Sequence, residues 1–166
     1  PQWWTVALVN WDDEPRSVSV PLEALGVGAA GCHAYDVWAD APLPDVRGTL
    51  TTQLEPHTVL VAALRPLAAR PQVIGTTRHV VQGVVDLEDE AWNPATRTLV
   101  ARSVRLDRRR YAVTIAVPRG MRPGVCKSDV PCTARRLPGG NTVIEWAAPE
   151  GKDIAWELRF VGTPRP

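Results

Sequence analysis

Short strand-like runs, broken repeatedly by turn-forming residues, constrain this chain more than any other feature. TVALVN (Thr5–Asn10) is rich in β-formers and runs into the turn DDEP. RSVSVPL follows, with Val18 and Val20 alternating against Ser17 and Ser19 at the period of a half-buried strand. LEALG (Leu22–Gly26) suits one short helical turn closed by its glycine, and CHAYDVW (Cys32–Trp38) reads as the next strand. APLPDV reads as a proline-rich connection leading to the strand GTLTTQL (Gly48–Leu54). TVLVAALRP is a near-continuous apolar run, which predicts a central strand buried on both faces.

The second half continues in the same style. VIGTTRHVVQG suits one or two short strands, and VDLEDEAWN places Asp86, Glu88 and Glu90 on one wet strand face. TLVARSVRL, YAVTIAVP, VCKSDVPCTARRL, TVIEWAA and IAWELRF complete a meander. Asn-Pro, Pro-Gly-Gly and Pro-Glu-Gly turn signals recur about every eight to twelve residues, the spacing of antiparallel sandwiches and barrels. No long segment has helical periodicity, and sixteen prolines oppose one. The expected fold is all-β: two tandem antiparallel β-sandwich domains, with one larger sandwich as the alternative.

The proposed boundary lies at ARPQ, bracketed by Pro66 and Pro71. It gives a first sandwich over 1–66, a linker over 67–72 and a second sandwich over 73–166. Charge changes sign there. Residues 1–66 hold 3 Arg and 8 Asp+Glu, a net −5, and residues 67–166 hold 16 Lys+Arg and 10 Asp+Glu, a net +6. The overall +1 gives no reason to expect a polyanionic partner, and no apolar run approaches the roughly 20 residues of a membrane helix. Neither nucleic acid nor membrane is therefore an expected partner. Arg outnumbers Lys 17 to 2, which with abundant Ala, Val and Pro suits a GC-rich bacterial source. The compartment is left open.

Chemistry-bearing motifs are sparse. Asp12, Asp13 and Glu14 suit a solvated turn rather than an acidic site. His33, His57 and His79 are widely spread, and no strained nucleophile motif or phosphate-binding glycine loop accompanies them. Arg108–Arg110 lacks an aromatic stacking platform and reads as a hairpin tip. No catalytic residue, metal ligand or cofactor is assigned. Cys126 and Cys132 are six apart and could face each other across a hairpin as a disulfide; three buried thiols are the alternative.

The aromatic balance is unusual, with 7 Trp against 2 Tyr and 1 Phe. Tryptophan stacks on the apolar faces of sugar rings and donates a hydrogen bond at half-wet surfaces. Trp146 and Trp156 fall inside strands and suit the core. Trp3 and Trp4 are adjacent, so on a strand they point to opposite faces. Trp3, Trp4, Trp38 and Trp92 are the candidate sugar-contact or interdomain-contact residues.

VALVNWDDEPRSVSVPLEALGV, then YDVWAD, a Gly-x-Leu strand and LEPHTVLVAALRP together resemble the C-terminal β-domain of melibiase-like α-galactosidases and related retaining glycoside hydrolases. Asp36 and Trp38 carry the Asp-x-Trp element; Pro56, His57 and Leu64 carry the closing strand. RPQVIGTTRHVVQG, Arg70–Gly83, is similar to the opening of a further β-domain found behind it in some of these enzymes. The resemblance implies a non-catalytic accessory region that follows a catalytic (β/α)8 barrel in the same polypeptide and stabilises or shapes it. It carries no catalytic residue to this chain, because the family's catalytic aspartates lie on the barrel. A carbohydrate-binding module and a structural adhesion-type β-repeat are the alternative readings.

Overall fold

The computed structural model describes residues 2–78, 80–106, 109–147 and 151–162. It is almost entirely β-structure, and every strand pairing is antiparallel. It divides into two compact units, Gln2–Leu67 and Ala68 onward.

The first unit contains β1 (Trp4–Val9), β2 (Arg16–Pro21), β3 (Cys32–Asp36), β4 (Ala41–Val46), β5 (Thr49–Leu54) and β6 (Val59–Pro66). A four-stranded sheet in the order β1-β6-β3-β4 faces the two-stranded sheet β2-β5. Alternation decides which side chains enter the core: Val6 and Leu8 of β1, Leu60, Ala62 and Leu64 of β6, and Leu50 and Leu54 of β5 are buried together. Val18 and Val20 pack against them from β2. As its apolar run predicts, β6 is central, between β1 and β3, and Leu60–Arg65 are all buried.

LEALG forms a 3₁₀ turn, Leu22–Leu25, and Gly26 closes it at φ 71°. Gly31 is confined for a different reason: a Cβ there would stand 2.5 Å from the Val46 carbonyl oxygen. APLPDV is a strand rather than a connection. Its prolines are tolerated because β4 is an edge strand, where an amide on the free side needs no partner.

The second unit contains β7 (Gln72–Thr76), the one-turn helix α1 (Gly83–Asp86), β8 (Leu87–Asn93), β9 (Thr98–Ser103), β10 (Tyr111–Ala116), β11 (Arg122–Ser128), β12 (Thr133–Arg136), β13 (Thr142–Trp146) and β14 (Ile154–Val161). Two four-stranded sheets form, β12-β13-β10-β7 and β11-β14-β9-β8. In β14, Ile154, Trp156, Leu158 and Phe160 are buried while Ala155 and Arg159 are exposed. Trp146 of one sheet lies 6.2 Å from Trp156 of the other, and Tyr111 stacks on Trp146 at 5.6 Å, so an aromatic column crosses the sandwich. Both indoles can be buried because each N–H finds a serine: Trp146 donates to Ser128 and Trp156 to Ser103.

The acidic stretch after α1 departs from the single wet face expected of it. Asp86 ends the helical turn and is fully buried. A register shift between Glu88 and Ala91, with Asp89 at φ 56°, then breaks the alternation of β8. Glu88 remains near solvent and pairs with Arg102, whereas Glu90 turns inward and accepts from the Val73 amide.

Candidate functional site

The end of the first sandwich at which β6 begins is assembled by one buried amide. Asn10 follows β1, and its Nδ2 lies within hydrogen-bond distance of the Glu14, Leu54 and Glu55 carbonyls, at 2.9, 3.1 and 3.1 Å. Its Oδ1 accepts from the Asp12 amide, and its own amide donates to Thr58. Asn10 thus ties the DDEP turn to the β5–β6 turn. Asp12 pairs with Arg16 and Asp13 with His57, so this acidic run forms a turn with local partners. Trp11, set in this turn, is 79% exposed. Sequence reasoning assigned no role to Asn10; an asparagine leaving a strand just before Asp-Asp is an Asx-turn signal that could have marked it.

Trp38 stands on the β3–β4 turn at the same end of the sheet. Asp36 Oδ1 accepts from the amides of both Trp38 and Ala39, and Tyr35 donates its hydroxyl to Asp40, which sits at φ 51°. The Asp-x-Trp element is therefore a rigid turn presenting an indole that is 62% exposed. An open groove of about 400 Å³ runs between β4 and β5, lined by Asp36, Leu43, Leu50, Thr51, Thr52 and Leu60 among others. Asp45 and Arg47 lie on its rim. Asp45 is held by His33 at 2.6 Å, and Arg47 donates to the Ala30 carbonyl.

The other candidate aromatics are placed elsewhere. Trp4 pairs with Leu64, at the opposite end of β6, and packs on the core. Trp3 is half-buried on the other side of the chain, its ring 4.9 Å from the Arg65 guanidinium carbon. Trp92 belongs to the second unit, where its ring meets Phe160 edge-on at 6.0 Å. Trp3, Trp4 and Trp38 therefore form no common patch on the first unit.

Cys126 and Cys132 are joined as a disulfide, with Cα atoms 6.9 Å apart. They do not sit on one hairpin. Cys126 is in β11 and Cys132 precedes β12, edge strands of different sheets, so the bridge clips one side of the second sandwich. Cys32 is buried in the first core; burial and then Asp45 push its thiol up to about 11, which keeps it protonated and unreactive near neutral pH.

A second polar cluster lies inside the second sandwich. Tyr111 donates to Asp86 at 3.1 Å, and Gln82 accepts from the Thr76 amide. Gln82 holds φ 51° and ψ −144°, a strained backbone for a residue with a Cβ. Burial raises Asp86, against the lowering pull of Thr76, Tyr111 and Arg78. Tyr111 is raised further, by burial and then by Asp86 itself. Glu145 goes the other way: burial pushes it up, but bonds from Arg110 and Arg135 outweigh that and hold it low. His79 and Arg108 lie outside the described residues.

In the first unit, a strand leaving through Asn10, an Asp-x-Trp turn and a buried closing strand occur together on a four-on-two sandwich. Residues 2–64 match the family model of the alpha galactosidase C-terminal beta sandwich domain. No curated protein matches the chain. The match covers nearly all of the first unit, and the Asn10 tie, the Trp38 turn and the β4–β5 groove all lie within the matched residues.

Proposed function

We propose that this chain is a non-catalytic accessory region of a bacterial α-galactosidase-like glycoside hydrolase, which stabilises and shapes a (β/α)8 catalytic barrel preceding it in the same polypeptide. The match of residues 2–64 to the C-terminal sandwich of alpha galactosidases carries this reading. The state of the acidic side chains supports it. Glycoside hydrolysis needs two carboxyl groups flanking a sugar-sized pocket. In this chain Glu88, Glu145 and Glu157 are paired with arginine or lysine, Asp13 is bonded to His57, and Asp36 caps a turn. The second unit, beginning where the family match has ended, is read as a further β-domain of the same accessory region.

Two measurements test the reading. The 166-residue chain should release no nitrophenol from an aryl α-galactoside above a control without it. Fused behind an α-galactosidase barrel stripped of its own C-terminal sandwich, it should raise the barrel's yield of soluble enzyme and its thermal midpoint. Turnover by the chain alone, or a fusion no more stable than the stripped barrel, would overturn it.

A further inference from the structure

We infer that the end of the first sandwich bearing Trp11 and Trp38 is a docking surface for an arginine-rich, cationic polypeptide. The inference goes beyond the accessory role and does not depend on it. Two features of the first unit carry it, and the first is where its exposed apolar side chains fall. Among the described residues of this unit, the large hydrophobic side chains left exposed are Trp11, Val59 and Trp38. All three lie at one end of one sheet. Trp11 follows Asn10, whose amide donates to Thr58; Val59 opens β6 opposite Val9; Trp38 follows Val37, whose amide donates to Val61. β1 and β3 flank β6, so the strands that deliver the two indoles run about 10 Å apart, with the start of β6 between them. Exposed apolar side chains gathered among polar turns mark an interaction site.

The second feature is charge, which selects the occupant. Six of the eight carboxylates in residues 1–66 sit at this end: Asp12, Asp13 and Glu14 between β1 and β2, Asp36 and Asp40 at the β3–β4 turn, and Glu55 between β5 and β6. Arg16 is the one arginine among them, so this end carries −5, the whole net charge of residues 1–66; Glu23 and Asp45 are balanced by Arg47 and Arg65. Local bonds do not cancel it. Asp36 accepts from two backbone amides and Asp40 from the Tyr35 hydroxyl, all neutral donors. An anionic partner is repelled here, and a neutral one covers carboxylates without compensating them. Arginine answers both features, because its guanidinium stacks on an indole and its fork pairs with a carboxylate. The unit already contains one such stack, with the Arg65 guanidinium carbon 4.9 Å from the Trp3 ring. The chain enters β1 and leaves β6 at the opposite end of the sheet, where Trp4 pairs with Leu64, which sets these turns apart from both connections.

The test is NMR on the uniformly ¹⁵N-labelled 166-residue chain at low ionic strength. The probes are an alternating Gly–Arg decapeptide, its Gly–Gln and Gly–Glu counterparts, and the neutral trisaccharide raffinose. The Gly–Arg peptide should shift the indole N–H resonances of both Trp11 and Trp38, and the other three probes should not. Trp11→Ala and Trp38→Ala should each weaken binding about threefold. Glu14→Gln with Glu55→Gln should weaken it about fivefold. All four side chains are exposed, so preserved chemical-shift dispersion will confirm that each variant is folded. The inference fails if the Gly–Arg peptide moves neither indole at millimolar concentration. It fails if both tryptophan variants bind as tightly as the parent, because the carboxylates alone then attract the peptide. Equal binding of the Gly–Gln peptide or raffinose overturns it too. So does a shift of the indoles on diluting the chain alone, since the occupant is then a second copy.

Discussion

Asn10 shows how much of a loop can rest on a single side chain. Replacing it with alanine leaves three carbonyls without their donor, two of them in a turn distant in sequence. Unsatisfied buried groups cost about 1–3 kcal/mol each, and some of these carbonyls can recover water. Asn10→Ala should therefore lower stability by about 3 kcal/mol in urea denaturation; a loss below about 1 kcal/mol would refute the tie. Asp86 gives a pH signature. Its folded value is raised above the ordinary 3.8, so its contribution is complete below that value and is lost as pH rises through the folded value. Glu145, held low, contributes above its ordinary 4.5, and that contribution is lost as pH falls through its folded value. Asp86→Asn keeps an acceptor for Tyr111, so it should abolish the fall in urea midpoint that sets in as pH rises above the ordinary carboxylate value of 3.8, and leave the acid-side loss from Glu145 intact. At this scale the sequence was legible where a residue acts on its neighbours, as in the DDEP turn. It was silent where the partner is remote: nothing near Asn10 marks Leu54, and nothing near Asp86 marks Tyr111.

Elements were legible wherever alternation held without interruption. β2, β5, β6 and β14 follow directly from their apolar pattern and turn signals. β4 was misread because two prolines outweigh strand pattern in any local view, and only the knowledge that this strand is an edge makes them harmless. The face of Glu90 was lost to a bulge, which inserts a residue without a compositional mark. The cysteine spacing suggested a bridge but not its setting between two sheets. A loop closed across six positions should contribute about 2 kcal/mol, less than a longer one would. Cys126→Ser with Cys132→Ser should therefore lower the urea stability by about that amount. Mass spectrometry after alkylation of the unfolded, unreduced chain should find a single labelled thiol, Cys32. Three labelled thiols would show that the bridge is absent.

For the whole molecule, each unit has a buried interior of its own, and the charge changes sign between the halves. We propose that the units are separately folding domains. Leu64 is fully buried in the first and Leu158 in the second, and truncating such a leucine costs about 2–5 kcal/mol. In calorimetry Leu64→Ala should lower one transition and Leu158→Ala another; a single transition moved by both would refute the division. The chain's overall character followed from turn spacing and proline content, because these limit every element at once. The β4–β5 groove was not legible, since it arises from strands that meet only after the sheets have formed. The prolines of β4 have one more consequence. An exposed strand with a full row of amides is a template on which a second molecule can crystallise its own backbone, and concentration alone drives that growth. With positions 42 and 44 unable to donate, this edge copies poorly, and crowding many molecules together need not turn them into fibres.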